Sequence, residues 1–322
     1  SQPAAKVGSQ AWRRIKHAES LQHDLEELAK DSEGILLPRS FREFSHEYST
    51  DEVARYIRST LNLNWDYQFN PQRIDALYDY LRYSIEARGV NVIHERYPVR
   101  DSRGFCLVGN ISGADVICIN TNKAKLKKAR VFTLIHELCH VLLREQGLSD
   151  YTVTKNKTEQ FCNSVAEKSL LPADKIKSIF RDYIRNRTFD FERLRQLSEQ
   201  LGVSQYSLAV RITRLKLVES DFVQRWRASL ADNLLEDFED GNLDPGAEGD
   251  NDDDESSRYV NPSLGTRRIN RIGLGISSAA LRAFDTDVRD DIDLYREFGI
   301  KPDDLSTLRT AVAKKSNLGG EV

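Results

Sequence analysis

Methionine is absent from this 322-residue sequence, although a chain of this length ordinarily carries several. The spacing of each motif therefore needs its own check. Cysteine is scarce. Cys106, Cys118, Cys139 and Cys162 form no CxxC pair and no dense framework. That excludes a disulfide scaffold and fits free thiols in a reducing compartment. Cys118, in the run VICIN, reads as a buried strand residue. No stretch approaches the ~20 apolar residues that a membrane helix needs. The opening residues SQPAAKVGSQAWRRIKHAES have no apolar core of the signal-peptide type. The expected location is the cytoplasm, with no membrane partner.

Hydrophobic residues make up 39% of the chain, which supports a real core. Charged residues make up 30%, and the mean hydropathy of −0.54 points to extensive solvated surface. The length allows two or three domains. The net charge of −3 conceals an asymmetry, because residues 232–257 hold twelve acids and no Lys or Arg, leaving +9 on the remainder. A like-charged, Gly-containing run repels itself and cannot bury a core. It is expected to be a disordered linker.

That run divides the sequence. Residues 1–49 read as a partly helical N-terminal extension, 50–172 as a catalytic core, 173–231 as a helical subdomain and 258–322 as a C-terminal helical segment. Thr50 to Leu61 has helical spacing with acids in its first turn, and Thr50 is the expected N-cap. Pro71 to Ala87 repeats apolar residues at Ile74, Leu77, Leu81 and Ile85, again helical. GVNVI, GFCLVG and ADVICIN then read as three strands, punctuated by Gly and Asn. The fold class is α+β: mainly helical, with a small mixed or antiparallel sheet.

Directly after these strands comes FTLIHELCHVLL, Phe132 to Leu143. On a helix at about 100° per residue, His140 falls about 40° from His136. Val131, Leu134, Ile135, Leu138, Val141 and Leu142 cluster between about 140° and 260°. The histidines thus project side by side, opposite the apolar stripe. Zn²⁺ takes imidazole, carboxylate and thiolate ligands and keeps a position open when catalytic. Two histidines at i, i+4 supply two ligands on one rigid element. Glu137 sits about 100° round, where it can act on a water at the ion without binding the ion. That glutamate makes HExxH more specific than HxxxH. Cys139 lies on the flank of this face and reads as a small buried filler between helices.

A third ligand is required. Thr158 to Leu171 is the next helix, and Glu159 would complete a His₂Glu site. Asn163, one turn on, could hydrogen-bond a ligand. Glu167 and Asp150 compete for the ligand role, although Glu167 reads better as a solvated surface acid.

The segments GFCLVG, VICIN, FTLIHELCHVLL and EQFCNSVAEKSLLP together resemble the ImmA/IrrE family of zinc metallopeptidases, over roughly Thr50 to Leu217. The spacing from Asn163 to Pro172 matches the family pattern, so no residue is missing inside that motif. Cys139 stands where the family usually has Gly, and Val165 where it has Phe. Glu167, Lys168 and Ser169 interrupt a run that is normally apolar or rich in Ala. The resemblance implies one Zn²⁺ per chain on His136, His140 and Glu159, with Glu137 as catalytic base. It implies a gluzincin-like fold whose edge strand could hold an extended substrate. It also implies a role in cutting or antagonising a helix-turn-helix repressor of a mobile element, prophage or stress gene. Tyr151 is the nearest candidate for stabilising the oxyanion.

A second activity has its own motif. Phe191 to Leu215, FERLRQLSEQLGVSQYSLAVRITRL, reads as helix-turn-helix-like, with Gly202 at the turn and Ser204 as the next N-cap. Lys175 to Lys216 holds ten basic and four acidic residues, a balance suited to DNA phosphates. Gln205 and Arg211 are the candidate DNA-contacting side chains. The alternative expectation is thus a non-proteolytic regulator, binding DNA or a repressor partner, with a structural or vestigial metal.

Overall fold

The computed structural model describes residues 8–63, 76–98, 102–122, 127–148, 157–183, 189–229 and 262–320. The acidic run at 232–257 lies outside the described residues. The chain divides into two compact units. One comprises Ser1–Leu170, Leu201–Val203 and Ser263–Val322, and the other Leu171–Gln200 and Ser204–Pro262.

The first unit begins with helices α1 (Ser9–Asp31), α2 (Thr50–Thr60) and α3 (Leu77–Glu86). Strands β1 (Val90–Glu95), β2 (Gly104–Leu107) and β3 (Asp115–Asn120) follow where the apolar runs placed them. Then come α4 (Lys127–Leu143), a two-residue strand β4 (Gly147–Leu148) and α5 (Lys157–Leu170). The sheet is mixed, in the order β1-β3-β2-β4. β1 runs parallel to β3, while β2 is antiparallel to both β3 and β4. The α+β class holds. β4 was not legible in the sequence, since two residues carry no periodicity. The cap of α2 also differs from expectation. Ser49, not Thr50, caps the helix, because its hydroxyl and the Glu52 carboxylate form a reciprocal capping box.

The pleat sorts the sheet's side chains. Val92, Ile117 and Cys106 are register partners, as are Ile93, Cys118 and Phe105. Ile93, Cys118 and Phe105 face a core built with α1 and with four helices from beyond the acidic run: α9 (Leu264–Ile272), α10 (Leu274–Asp285), α11 (Asp291–Phe298) and α12 (Leu305–Gly320). The opposite face lies against α3 and α4. α1 buries one stripe, Ala11, Ile15, Ala18, Leu21, Leu25 and Leu28, at the three-and-four spacing of an amphipathic helix. The sequence set residues 1–49 and 258–322 apart from the catalytic core. In the structure α1 and α9 to α12 share one apolar core with the sheet, because their stripes have no other surface to cover.

A buried ion pair ties these distant segments together. Arg82 and Glu86, one turn apart on α3, are each 1% exposed at the side chain and 3.5 Å apart. Arg82 donates to the carbonyls of Ile269 (3.0 Å) and Asn270 (3.1 Å) at the end of α9, and to Val92 on β1 (2.8 Å). Glu86 accepts the amide of Leu274 at 2.9 Å, at the start of α10, and its charge is further eased by the amides of Val92 and Gly275. The cation thus meets the negative end of one helix and the anion the positive end of the next. Between them Gly273 sits at φ +91°, and a Cβ there would lie 2.2 Å from Glu86 Oε1. The same pair satisfies both backbone polar groups of Val92 on an outer strand, which blunts that edge against further pairing. Burial pushes the Glu86 carboxyl above its usual range, and Arg82 and the three amides oppose that rise.

Glu86→Ala leaves Arg82 buried without its carboxylate. Its unfolding free energy is expected to fall by about 3–5 kcal/mol, read from the urea midpoint. An unchanged midpoint would show that the pair does not hold the C-terminal helices.

Candidate metal centre

α4 is the helix that carries HELCH. It ends in a Schellman cap: the Arg144 amide bonds to Val141 O (3.1 Å) and the Glu145 amide to His140 O (3.1 Å). Arg144 occupies the left-handed region at φ +57°, normally a glycine position. It is held there by Asp115, 2.6 Å from Nη1, and by Gly109 O, 2.5 Å from Nη2.

Both faces of α4 are buried. Val131, Leu134, Ile135, Leu138, Val141 and Leu142 cover the sheet side as expected. The histidine face is buried as well. His136 is 5% exposed, His140 2% and Glu137 0%. α5 packs across it and brings Glu159, in the first turn of that helix, opposite the two rings.

Three donor atoms converge. His136 Nε2 and His140 Nε2 are 3.2 Å apart. Glu159 places Oε2 3.2 Å from the first and Oε1 3.2 Å from the second. A tetrahedral ion with bonds of about 2.0–2.1 Å sets neighbouring donors about 3.3 Å apart. The spacing is compatible with a small divalent cation, although the two 3.2 Å contacts use different oxygens of Glu159. Among the described residues, this is the one group of three or more His, Cys, Asp or Glu side chains that could hold a metal ion. The outer Nδ1 atoms of both rings are buried without a hydrogen-bond partner among the described residues. Ring orientation instead comes from packing, with Phe132 stacked on His136 at 6.3 Å.

The electrostatics agree with this geometry. Burial alone would lower His140, but a hydrogen bond donated to Glu159 and the charges of Glu137, Glu159 and Glu145 raise it above the ordinary imidazole value. Burial alone would raise Glu159, but hydrogen bonds and charge from both histidines hold its carboxyl at about 2.

Sequence reasoning missed Gly104 as a functional position. A Cβ there would lie 2.6 Å from Thr133 Cγ2, 2.9 Å from Cys118 O and 3.4 Å from Glu137 Oε1. Glycine at the start of β2 lets the sheet lie directly against the Glu137 side of α4. The GF pair was visible in the sequence, but nothing local explained it.

The other expected residues separate. Glu167 is buried at 6%, not a solvated surface acid, because α5 turns that side inward. It lies apart from the three-ligand group. Asn163 is half-buried on α5, and no hydrogen bond joins it to His136, His140 or Glu159. Asp150 and Tyr151 lie outside the described residues. Cys139 is buried, as expected of a filler, and hydrogen-bonds Cys162 on the facing helix.

In the second unit, α6 (Ala173–Tyr183), α7 (Phe191–Gln200) and α8 (Gln205–Arg214) cover the basic stretch. Gly202 adopts φ +63°, and Ser204 caps α8 by accepting from the Ser207 amide. Arg211 departs from its expected DNA-contacting role. It is 5% exposed, and its Nε donates to Leu171 O at 2.8 Å, so its guanidinium is committed to the fold. Gln205 is half-buried. Beside it Tyr206 stacks on Trp226 at 6.3 Å, with Arg227 over its ring at 4.9 Å.

Residues 85–213 match the model of a known family, Peptidase_M78, described as the IrrE N-terminal-like domain. Over that span, 129 of the 322 residues, the chain is similar to the ImmA/IrrE family. This is a metallopeptidase family, and the matched span contains the sheet, the HELCH helix and Glu159, while leaving out α1 and α9 to α12. No curated protein and no solved structure matches the chain. Among the described residues, no helix is long and apolar enough to cross a membrane.

The raised His140 value gives a test. Metal requires deprotonated ligands, so log Kd should be flat above the His140 pKa and weaken with each unit below it. The break is expected above pH ~6.5, the ordinary imidazole value. Glu159, held at about 2, adds no second break in the accessible range. Isothermal titration across pH 5–8.5 would show this, and a break clearly below pH ~6.5 would contradict it.

Proposed function

We propose that this ImmA/IrrE-like protein is a zinc-dependent endopeptidase acting on a protein substrate. The observation that carries the reading is the triangle of His136, His140 and Glu159, with Glu137 buried beside it. The donor set, two imidazoles and one carboxylate, suits Zn²⁺ and leaves one position open. Zinc, when bound, supplies Lewis-acid polarisation of a carbonyl and a lowered pKa for water. The chain's own residues supply the rest.

Glu137 follows His136 directly, so it shares the rigid helix with both histidines yet points about 100° away from the first. It is therefore held close to the reacting water without taking up a ligand position. Its carboxylate accepts the water's proton and passes it to the leaving amine. Burial keeps bulk water from competing for that proton. Glu159, ionised at neutral pH, provides the third ligand and offsets the charge of the site.

The substrate we infer is a helix-turn-helix repressor, and cleavage would relieve repression in a mobile-element, prophage or stress-response system. This rests on the family match over residues 85–213. The buried free thiols support a reducing compartment, the cytoplasm, as the place of action. The other reading, a non-proteolytic regulator binding DNA through 191–215, is weakened by two observations. Arg211 is spent on Leu171 O, and Tyr206 at the start of α8 is stacked on Trp226. The first removes a side chain that a groove-reading helix would present, and the second ties down the Tyr206 ring although it stays 46% exposed.

Glu137→Gln should bind zinc as the wild type does, because Glu137 is not a ligand. Its cleavage of the repressor encoded beside the gene should fall at least about 10²-fold. Metal content and a gel-based cleavage assay on the two proteins make the test. Equal zinc with equal cleavage would remove Glu137 from the mechanism.

A further inference from the structure

Beside the metal centre lies a second polar cluster that the proposed chemistry does not use. Glu145 follows the end of α4 by two residues. The Schellman cap fixes its backbone through His140 O. Its side chain, about 40% exposed, reaches across to the start of α5. Thr158 Oγ1 donates to Glu145 Oε2 at 2.7 Å. His46 Nε2 lies 3.0 Å from Glu145 Oε1 and 3.3 Å from Thr158 Oγ1. The His46 ring meets Phe161 edge-on at 5.1 Å. The segment bearing His46 is itself anchored to α4, since the Phe44 amide bonds to Leu142 O at 2.9 Å.

The position of this cluster matters. His136 and His140 share one helix, so their spacing is intrinsic to the backbone. Glu159 arrives on a different helix, and its place depends on how the start of α5 is held against the end of α4. Glu145 joins those two ends, and its partner Thr158 is the residue next to Glu159. A carboxylate at the first turn of α5 further favours the helix start through the backbone dipole.

We propose that Glu145, with Thr158 and His46, is a positioning residue for the metal centre: it sets where Glu159 meets the two histidines. This rests on the metal-centre reading above. Partners outside the ligand set that orient ligands change metal affinity by roughly 10- to 100-fold when removed.

The experiment measures zinc affinity by competition with a chromophoric chelator, on full-length wild type, Glu145→Ala, Thr158→Val and Thr158→Ser. Melting of each metal-free protein is recorded beside it. The expected result is a zinc Kd weakened roughly 10-fold or more in Glu145→Ala and Thr158→Val. Thr158→Ser keeps the hydroxyl and should stay within about twofold of wild type. A merely structural role would lower the melting temperature and leave the Kd unchanged, and that outcome overturns the proposal. Should Glu145→Ala fail to fold, the contrast between valine and serine at position 158 decides alone. Absence of zinc binding by the wild type is a separate outcome, which overturns the metal-centre reading and the clamp with it.

Discussion

Two imidazoles and one carboxylate buried on one helix, with a second, partly buried carboxylate facing them, are the constraint on which this molecule turns. Desolvating that many ionisable groups is costly unless each is paired or coordinated. The surroundings answer that cost at close range. His136 and His140 share the Glu159 carboxylate, which keeps it ionised. Gly104 admits the sheet to within contact of Thr133 and Glu137. α5 closes the remaining side. The result is a polar pocket inside an otherwise apolar layer, held together by packing rather than by a shell of hydrogen bonds to the outer ring nitrogens.

The sheet that supports α4 has its own dependence. One of its faces is completed by helices about 180 residues away along the chain. Arg82 and Glu86 act as a two-sided cap, one for the end of α9 and one for the start of α10, while also occupying the polar groups of Val92. A single turn of α3 therefore serves secondary structure, tertiary docking and edge protection at once. A buried pair used this way specifies a geometry more than it adds net stability, since its charges are offset by dipoles that only the native arrangement provides.

How much of this was legible depended on range. HELCH was readable because i, i+4 spacing and the apolar stripe are properties of one helix. The three strands were readable from short apolar runs between Gly and Asn, and Ser204 and Gly202 from local cap and turn chemistry. Glu159 was readable as a candidate, but only the packing of α5 on α4 separates it from Glu167, which is buried elsewhere. A helical wheel placed the histidines opposite the apolar stripe, but it shows which side is polar, not what covers it. The same limit hid the role of Gly104, the pairing of Glu145 with Thr158, and the placing of α1 and α9 to α12 in the central core. The burial of Arg211 was hidden for a related reason: a long cationic side chain near a helix end looks alike whether it reaches outward or bonds a neighbouring carbonyl.

The docking of α9 to α12 on the sheet has a temporal side. On the ribosome, β1 to β3 and the ligand-bearing helices emerge well before residues 263–320 are made. Until then the core around Ile93, Phe105 and Cys118 lacks the residues of α9 to α12, and the Val92 edge lacks the buried pair's full setting. A domain of such high contact order completes late. Synthesis itself thus imposes a delay between making the histidine-bearing helix and completing the scaffold that holds it.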